Sequence, residues 1–371
     1  MKQPWLIDTT LRDGEQAAGV AFSAEQAFRI AEKLSFVGVP ELEVGTPAMG
    51  DHEIVKMRNI VRADFGCRTT AWCRARESDI EMALRAEVGA VHLSFPVSDI
   101  HLKALNKSRS WVIDRSLELV RFAKQRFAYV SVGAQDASRT DLHWLRQFAV
   151  HAANAGAHRL RLADTVGIWD PIQCYESVRA MRQLLPNIDL AVHTHNDLGM
   201  ATANAIAAWR AGADSVDVTV NGLGERAGNA ALEEVVMAIE VARGMTSHIV
   251  LKELIALSQL VADSAERPLH RQKPVVGEAA FDHESGIHVH AMLRDRHCYE
   301  AFGPELLGRK RSTYVLGKHS GMAALEGALK GLRLSVGPAR LVELLSQVRR
   351  RAEETSGTLT DQDLVALAAA H

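Results

Sequence analysis

The stretch DLAVHTHNDLGMATANAIAAWRAGADSVDVTV, residues 189–220, decides how the chain folds. An apolar run ends in His193 and His195, a turn containing Gly199 follows, and an alanine-rich helical stretch leads into a second β-branched run, DSVDVTV. Strand, helix and strand in about thirty residues make a βαβ unit, whose crossover is right-handed. The alternation continues outward on the amino-terminal side. Further candidate strands are WLIDT (5–9), ELEVG (41–45), RTTAWC (68–73), AVHLSF (90–95), AYVSVG (128–133) and HRLRLAD (158–164). Helical patterns lie between them, such as SAEQAFRIAEKLSFVG (23–38), where Ser23 can cap the start and Gly38 can end the helix. Eight such units predict a closed (β/α)8 TIM barrel over residues 1–248. The competing doubly wound open sheet lacks a GxGxxG after its first strand.

After VARGMTSH (241–248) the alternation stops. A helix is predicted over 249–265, then a long extended loop, ERPLHRQKPVVGEAAFDHESG (266–286), then short helical segments, of which GPARLVELLSQVRRRAEE (337–354) is the clearest. Residues 249–371 thus read as a mostly helical C-terminal subdomain, too small and polar to be an obvious independent fold. The composition is ordinary for a globular protein: 371 residues, 47% hydrophobic, 24% charged, net charge −2. Without a basic block, electrostatically driven nucleic-acid binding is not expected. The first residues, MKQPWLIDTTLRDGEQ, meet charge too early for a signal peptide, and no apolar run is long enough to cross a membrane. Four cysteines with no CxxC spacing suggest neither a zinc ribbon nor a disulfide framework. The expectation is a cytoplasmic protein.

His193 and His195 occupy positions i and i+2 of one strand, so their imidazoles share a face at the strand's carboxyl end, where a barrel gathers its active site. By itself an HxH pair is more often structural. The segment DTTLRDGEQ (8–16), just past the first strand, adds Arg12, Asp13, Glu15 and Gln16. In a closed barrel the first strand neighbours the eighth, so Asp13 can join the two histidines around a divalent metal (Mg, Mn, Zn or Co), leaving positions open for water and substrate. The glycine-rich VNGLGERAGNAALEEVV (220–236) follows the eighth strand. There Asn229 reads as the start of a helix and as a carbonyl donor to the same metal. His283, Glu284 and His288 give HExxxH, one residue too long for the zinc-protease HExxH.

Five phrases, LRDGEQ, HTHNDLGMATAN, NGLGERAGNAALEEVV, FDHESGIHVHAML and VLGKHSG, occur in this order and span nearly the whole chain. Together they resemble the acyl-CoA condensing enzymes of the homocitrate synthase and 2-isopropylmalate synthase family. The resemblance implies a metal-dependent barrel acyltransferase joining acetyl-CoA to a 2-oxo acid. It also implies a homodimer in which each C-terminal subdomain covers the partner's barrel. On the family pattern Asp13, His193, His195 and Asn229 fall on metal positions. Arg12 would stabilise enolate or alkoxide oxygen, and Gln16 and Thr165 would hold the substrate carboxylate, although Thr165 also reads as a helix cap. His288, in the "GIH" motif and supplied across the interface, would be the general base or acid, with Tyr299 assisting.

The 2-oxo acid is read from departures. Lysine-pathway homocitrate synthases typically place a histidine after the third strand and an arginine on the fifth, where this chain has Arg74 in AWCRARE and Ser131 in YVSVGAQD. A second substrate carboxylate in the pocket needs a cation, because an unpaired buried charge is expensive, and Arg74 is the candidate. Gln135 stands where many relatives have a glutamate. The wording as a whole resembles most the homocitrate synthases of nitrogen-fixing bacteria, which implies 2-oxoglutarate as substrate. Alternatives are isopropylmalate or citramalate synthesis, a carbon–carbon lyase of the same barrel superfamily, a non-haem iron oxygenase, and a non-catalytic scaffold.

Overall fold

The computed structural model describes residues 2–310 and 313–370, which form two compact units meeting between Leu269 and His270. The first unit is a closed barrel of eight parallel strands in sequential order. They are β1 (Trp5–Asp8), β2 (Glu41–Gly45), β3 (Arg68–Arg74), β4 (Ala90–Pro96), β5 (Tyr129–Gln135), β6 (Arg159–Asp164), β7 (Asp189–Thr194) and β8 (Ser215–Val218). All eight lie on the runs expected from sequence. Closure comes from β1 pairing with β8, Trp5 opposite Ser215 through Asp8 opposite Val218. The helix Ala24–Val37 begins at Ser23, whose hydroxyl accepts from the Gln26 amide while the Gln26 side chain accepts from the Ser23 amide. It ends at Gly38 with φ 103°, a left-handed conformation that a side chain would strain.

The barrel axis holds charge where branched aliphatics are usual. Arg159 and Arg161 are among the largest fully buried side chains of the molecule. Near the amino ends of the strands, Arg159 donates to both oxygens of Glu41 across the barrel, at 2.8 and 2.9 Å, and Thr70 donates to Glu41 at 2.9 Å. One layer higher, Glu43 accepts from both Arg12 and Arg161, and the Arg161 Nε lies 3.1 Å from Asp217. Burial alone would raise the pKa values of Glu41 and Glu43. The facing guanidiniums hold both below the ordinary carboxylate range.

The helix expected over 249–265 forms as Leu254–Ser264 after a 3-10 turn, and it belongs to the first unit, so that unit extends past residue 248 to Leu269. Its Leu254, Leu257, Val261 and Ala262 are buried at i, i+3, i+7 and i+8, the stripe of a helix laid on a core. The second unit contains the helices Gly286–Met292, Met322–Gly331, Pro338–Thr355 and Asp361–Ala369. These enclose an apolar core of their own, with Val289, Leu325, Leu329, Leu344, Val348 and Leu364 buried. The tail is therefore a packed unit and not merely a polar appendage. Among the described residues no helix is long and apolar enough to cross a membrane.

Candidate active site and metal centre

Asp13, His193 and His195 meet at the carboxyl end of the barrel, all buried, with one potential ligand atom from each lying within 4.8 Å of the others. The two Nε2 atoms are 3.2 Å apart, and Asp13 Oδ2 lies 3.4 Å from His193 Nε2 and 3.9 Å from His195 Nε2. The far side of His193 is fixed by Asp217, 2.9 Å from Nδ1, a carboxylate–histidine contact of the kind that orients a metal-binding imidazole. Burial works against a charge on His193, but the hydrogen bonds and charges of Asp13 and Asp217 prevail and raise its pKa to about 9. Burial, then the neighbouring His193, push His195 down to about 4. Asp13 is held well below the usual range, against its burial, chiefly by Arg12.

Asn229 does not start a helix, because the following helix, Leu232–Met237, is preceded by Ala231. It bridges back to His195, donates its Nδ2 to Asp13 Oδ1 at 2.8 Å, and keeps a buried Oδ1 with no hydrogen-bond partner among the described residues. Two imidazole nitrogens, a carboxylate and an orphaned amide oxygen make a donor set that fits a divalent cation of the nitrogen- and oxygen-binding kind. The glycines explain the close approach. A Cβ at Gly224 would fall 2.0 Å from Asn229 Nδ2 and 3.0 Å from Asp13 Oδ1.

The trio opens into a cavity of about 260 Å³ that Arg12, Gln16, Thr165 and Gln135 also line. Thr165 caps no helix, that place before Pro171–Leu184 being taken by Asp170, and its hydroxyl accepts from the Asp136 amide. Glu15 turns away to Lys56, 2.8 Å distant, and to the Phe22 amide. Arg74 is not among the residues lining this cavity. Its Nε and Nη2 are taken by Asp79 at 2.8 and 3.0 Å, and it lines an adjoining cavity of about 840 Å³ instead. Asp79 sits in the first turn of the helix Glu77–Arg85, within reach of the Arg74 amide as well, so the arginine is drawn towards the loop. Sequence reasoning missed His92, Arg161 and Arg226, which line the cavity, and Glu43 and Asp217, which brace it. In the second unit, His288 stacks on Tyr299 with ring centroids 3.9 Å apart, bringing together two residues singled out from sequence.

Barrel and trio together define the class: a TIM barrel presenting a candidate divalent-metal site at the carboxyl ends of its strands. The chain belongs to the HMGL-like family, whose model matches residues 3–261, and a homocitrate synthase post-HMGL domain-like model matches residues 275–356. It is 47% identical to 2-isopropylmalate synthase 2 of Caldanaerobacter subterraneus subsp. tengcongensis, over 99% of this chain and 95% of the relative. It is 43% identical to homocitrate synthase 1 of a Nostoc species, over 99% and 97%. Its wording therefore does not single out the nitrogen-fixation branch. The HMG-CoA lyase of Bacillus subtilis shares the barrel alone, with a TM-score of 0.66 at 21% identity over 72% of this chain and 97% of that one.

Proposed function

We propose that this protein is an acyltransferase that condenses acetyl-CoA with 2-oxoglutarate to give homocitrate and CoA. The observation that carries the choice of acid is the cavity wall. Beside the trio it presents Arg12, Arg161, His92, Ser94 and Gln135, with Trp72 and Ala163 but no leucine, isoleucine, valine or methionine among the described residues that line it. A branched aliphatic acid gains from apolar contact, whereas a dicarboxylic acid gains from cations and hydroxyls. The second reading, 2-isopropylmalate synthesis, is favoured by the identity to the Caldanaerobacter enzyme.

In this reading Asp13, His193, His195 and Asn229 hold one divalent ion, whose chemistry when bound is Lewis-acid polarisation of the ketone. Arg12 keeps its guanidinium beside Asp13 and Glu43, placing fixed positive charge where the ketone oxygen becomes negative. Gln16 and Thr165 hold the C1 carboxylate at the cavity mouth. His288, its ring set by Tyr299 and contributed by the partner of a homodimer, takes a proton from the acetyl methyl group on a ring nitrogen. The methyl carbon then bonds to the ketone carbon, the oxygen is protonated, and water cleaves the thioester to release the thiol. Gln135, an amide, positions that water without serving as a base.

The test is acetyl-CoA-dependent thiol release with 2-oxoglutarate, 2-oxoisovalerate and pyruvate, with and without chelator. Release that needs metal and is fastest with 2-oxoglutarate is expected. Faster turnover of 2-oxoisovalerate would refute the choice of acid, and no release with any acid would refute the condensation. Independently of turnover, a saturating divalent cation is expected to stabilise the protein by about 3 kcal/mol at one hundred times its dissociation constant, read as a rise in melting temperature.

A further inference from the structure

Three arginines line the candidate site, Arg12, Arg161 and Arg226, and Arg74 lines the adjoining cavity. Arg74 is held by Asp79; Arg226 is held by both oxygens of Asp197 and by the Thr165 carbonyl; Arg12 is held by Glu43 and Asp13. Arg161, 1% exposed, donates Nη1 to Glu43 Oε2 at 2.8 Å and sets Nε 3.1 Å from Asp217, but its Nη2 has no hydrogen-bond partner among the described residues. A buried donor without a partner is costly, because it has given up water and gained nothing in exchange. A carboxylate that reached this nitrogen would supply the missing partner.

Its surroundings are shaped for that ligand. Arg161, Gly133 and Ser94 are in register across three adjacent strands, β6, β5 and β4, and all three line the cavity. The absent side chain of Gly133 makes room for the His92 ring: a Cβ there would fall 2.5 Å from Nε2 of His92, whose Nδ1 is 2.9 Å from the Ser131 hydroxyl. Along β6, Ala163 is level with His193. Arg161 therefore lies one inward-facing layer below the trio, about 6–7 Å along the strand. A two-methylene arm ending in a carboxylate spans that layer.

We propose that Arg161, with His92 and Ser94 beside it, reads the distal carboxylate of a dicarboxylic 2-oxo acid and so sets specificity, in place of Arg74. The inference rests on the proposed condensation and goes further by naming the residue that selects the acid.

The test compares kcat/KM for 2-oxoglutarate with that for 2-oxopentanoate, the same chain without the second carboxylate. It uses the wild type, Arg161→Gln, Arg161→Lys and His92→Gln, each checked for folding by circular dichroism. The ratio is expected to fall about 100-fold in Arg161→Gln, mainly through the KM for 2-oxoglutarate, and to be partly restored in Arg161→Lys. His92→Gln is expected to lower it about 10-fold. A parallel loss with both acids would overturn the inference, leaving Arg161 as a brace for Glu43 and Asp217. If Arg161→Gln does not fold, an unchanged ratio in Arg161→Lys and His92→Gln overturns it equally. A wild type that prefers 2-oxoisovalerate or pyruvate refutes the proposed function itself. A wild type that prefers 2-oxoglutarate, with variants that do not move the ratio, refutes only the role of Arg161.

Discussion

At Gly224 a missing side chain decides the geometry of the candidate metal centre. Its backbone φ is ordinary, so alanine adds no torsional strain there, but the new Cβ would displace the Asn229 amide from Asp13. Gly224→Ala is expected to weaken divalent-metal affinity by about 10- to 100-fold, the usual cost of losing a ligand's support, as read by titration calorimetry. Unchanged affinity would remove Asn229 from the metal's surroundings. Asp8 makes a different residue-scale case. Burial, with Glu233 and Asp217 nearby, raises its pKa to about 7 even though the Thr10 amide donates to it. The folded state therefore holds this proton more tightly than the unfolded state. Its contribution to stability is complete below about pH 4 and is lost as pH rises through about 7. Asp8→Asn is expected to gain on the wild type between those limits, by up to about 4 kcal/mol, in urea unfolding with chelator present. A difference that does not change with pH would show that Asp8 ionises freely in the folded protein.

At the scale of elements, the strands were legible because each is a short apolar run between turn and cap signals, and Ser23 and Gly38 marked their helix correctly. Asp13, His193 and His195 were legible too, since HxH on one strand and a carboxylate after the first strand converge once the barrel closes. The charged interior was not read, although its signal is present. ELE in β2, RLR in β6 and VDV in β8 alternate with period two. In an open sheet such a pattern means one wet face. In a closed barrel the outer face is covered by helices, so Leu42, Leu160, Leu162 and Val216 take that side and the charges must face the axis. The pairing of Arg74 was not read for a related reason, because its helix-borne partner Asp79 is visible only in three dimensions. The buried pairing makes a prediction for β2 and β6 together. Arg159→Met alone leaves Glu41 with one half-buried arginine, Arg68 at 3.1 Å, and is expected to cost about 3–5 kcal/mol in denaturant unfolding. Adding Glu41→Leu is expected to recover most of that loss, because the uncompensated charge is gone. Additive losses would mean that the network stabilises through packing and not through charge compensation.

At the scale of the whole molecule, the residues given roles in the proposed reaction belong to two compact units: the trio, Arg12 and Arg161 to the first, His288 and Tyr299 to the second. The sequence suggested both sets, and only the family resemblance, not the residues themselves, implies that the partner's second unit serves a given barrel. If the proposed homodimer donates His288 across its interface, two inactive variants can repair one another. A chain with Asp13→Asn keeps a working His288, and a chain with His288→Ala keeps a working barrel. In a mixed dimer one site then receives both intact parts while the other receives both defects. Random exchange puts about half of the molecules in mixed dimers, so activity is expected to return to about one quarter of the wild-type value. The measurement is thiol release after the two inactive variants are unfolded together and refolded. No recovery, with the exchange verified by a tag on one chain, would place His288 over its own barrel. Recovery near one quarter would make the dimer the catalytic unit, so that an interface mutation far from the metal centre would abolish turnover without touching a ligand.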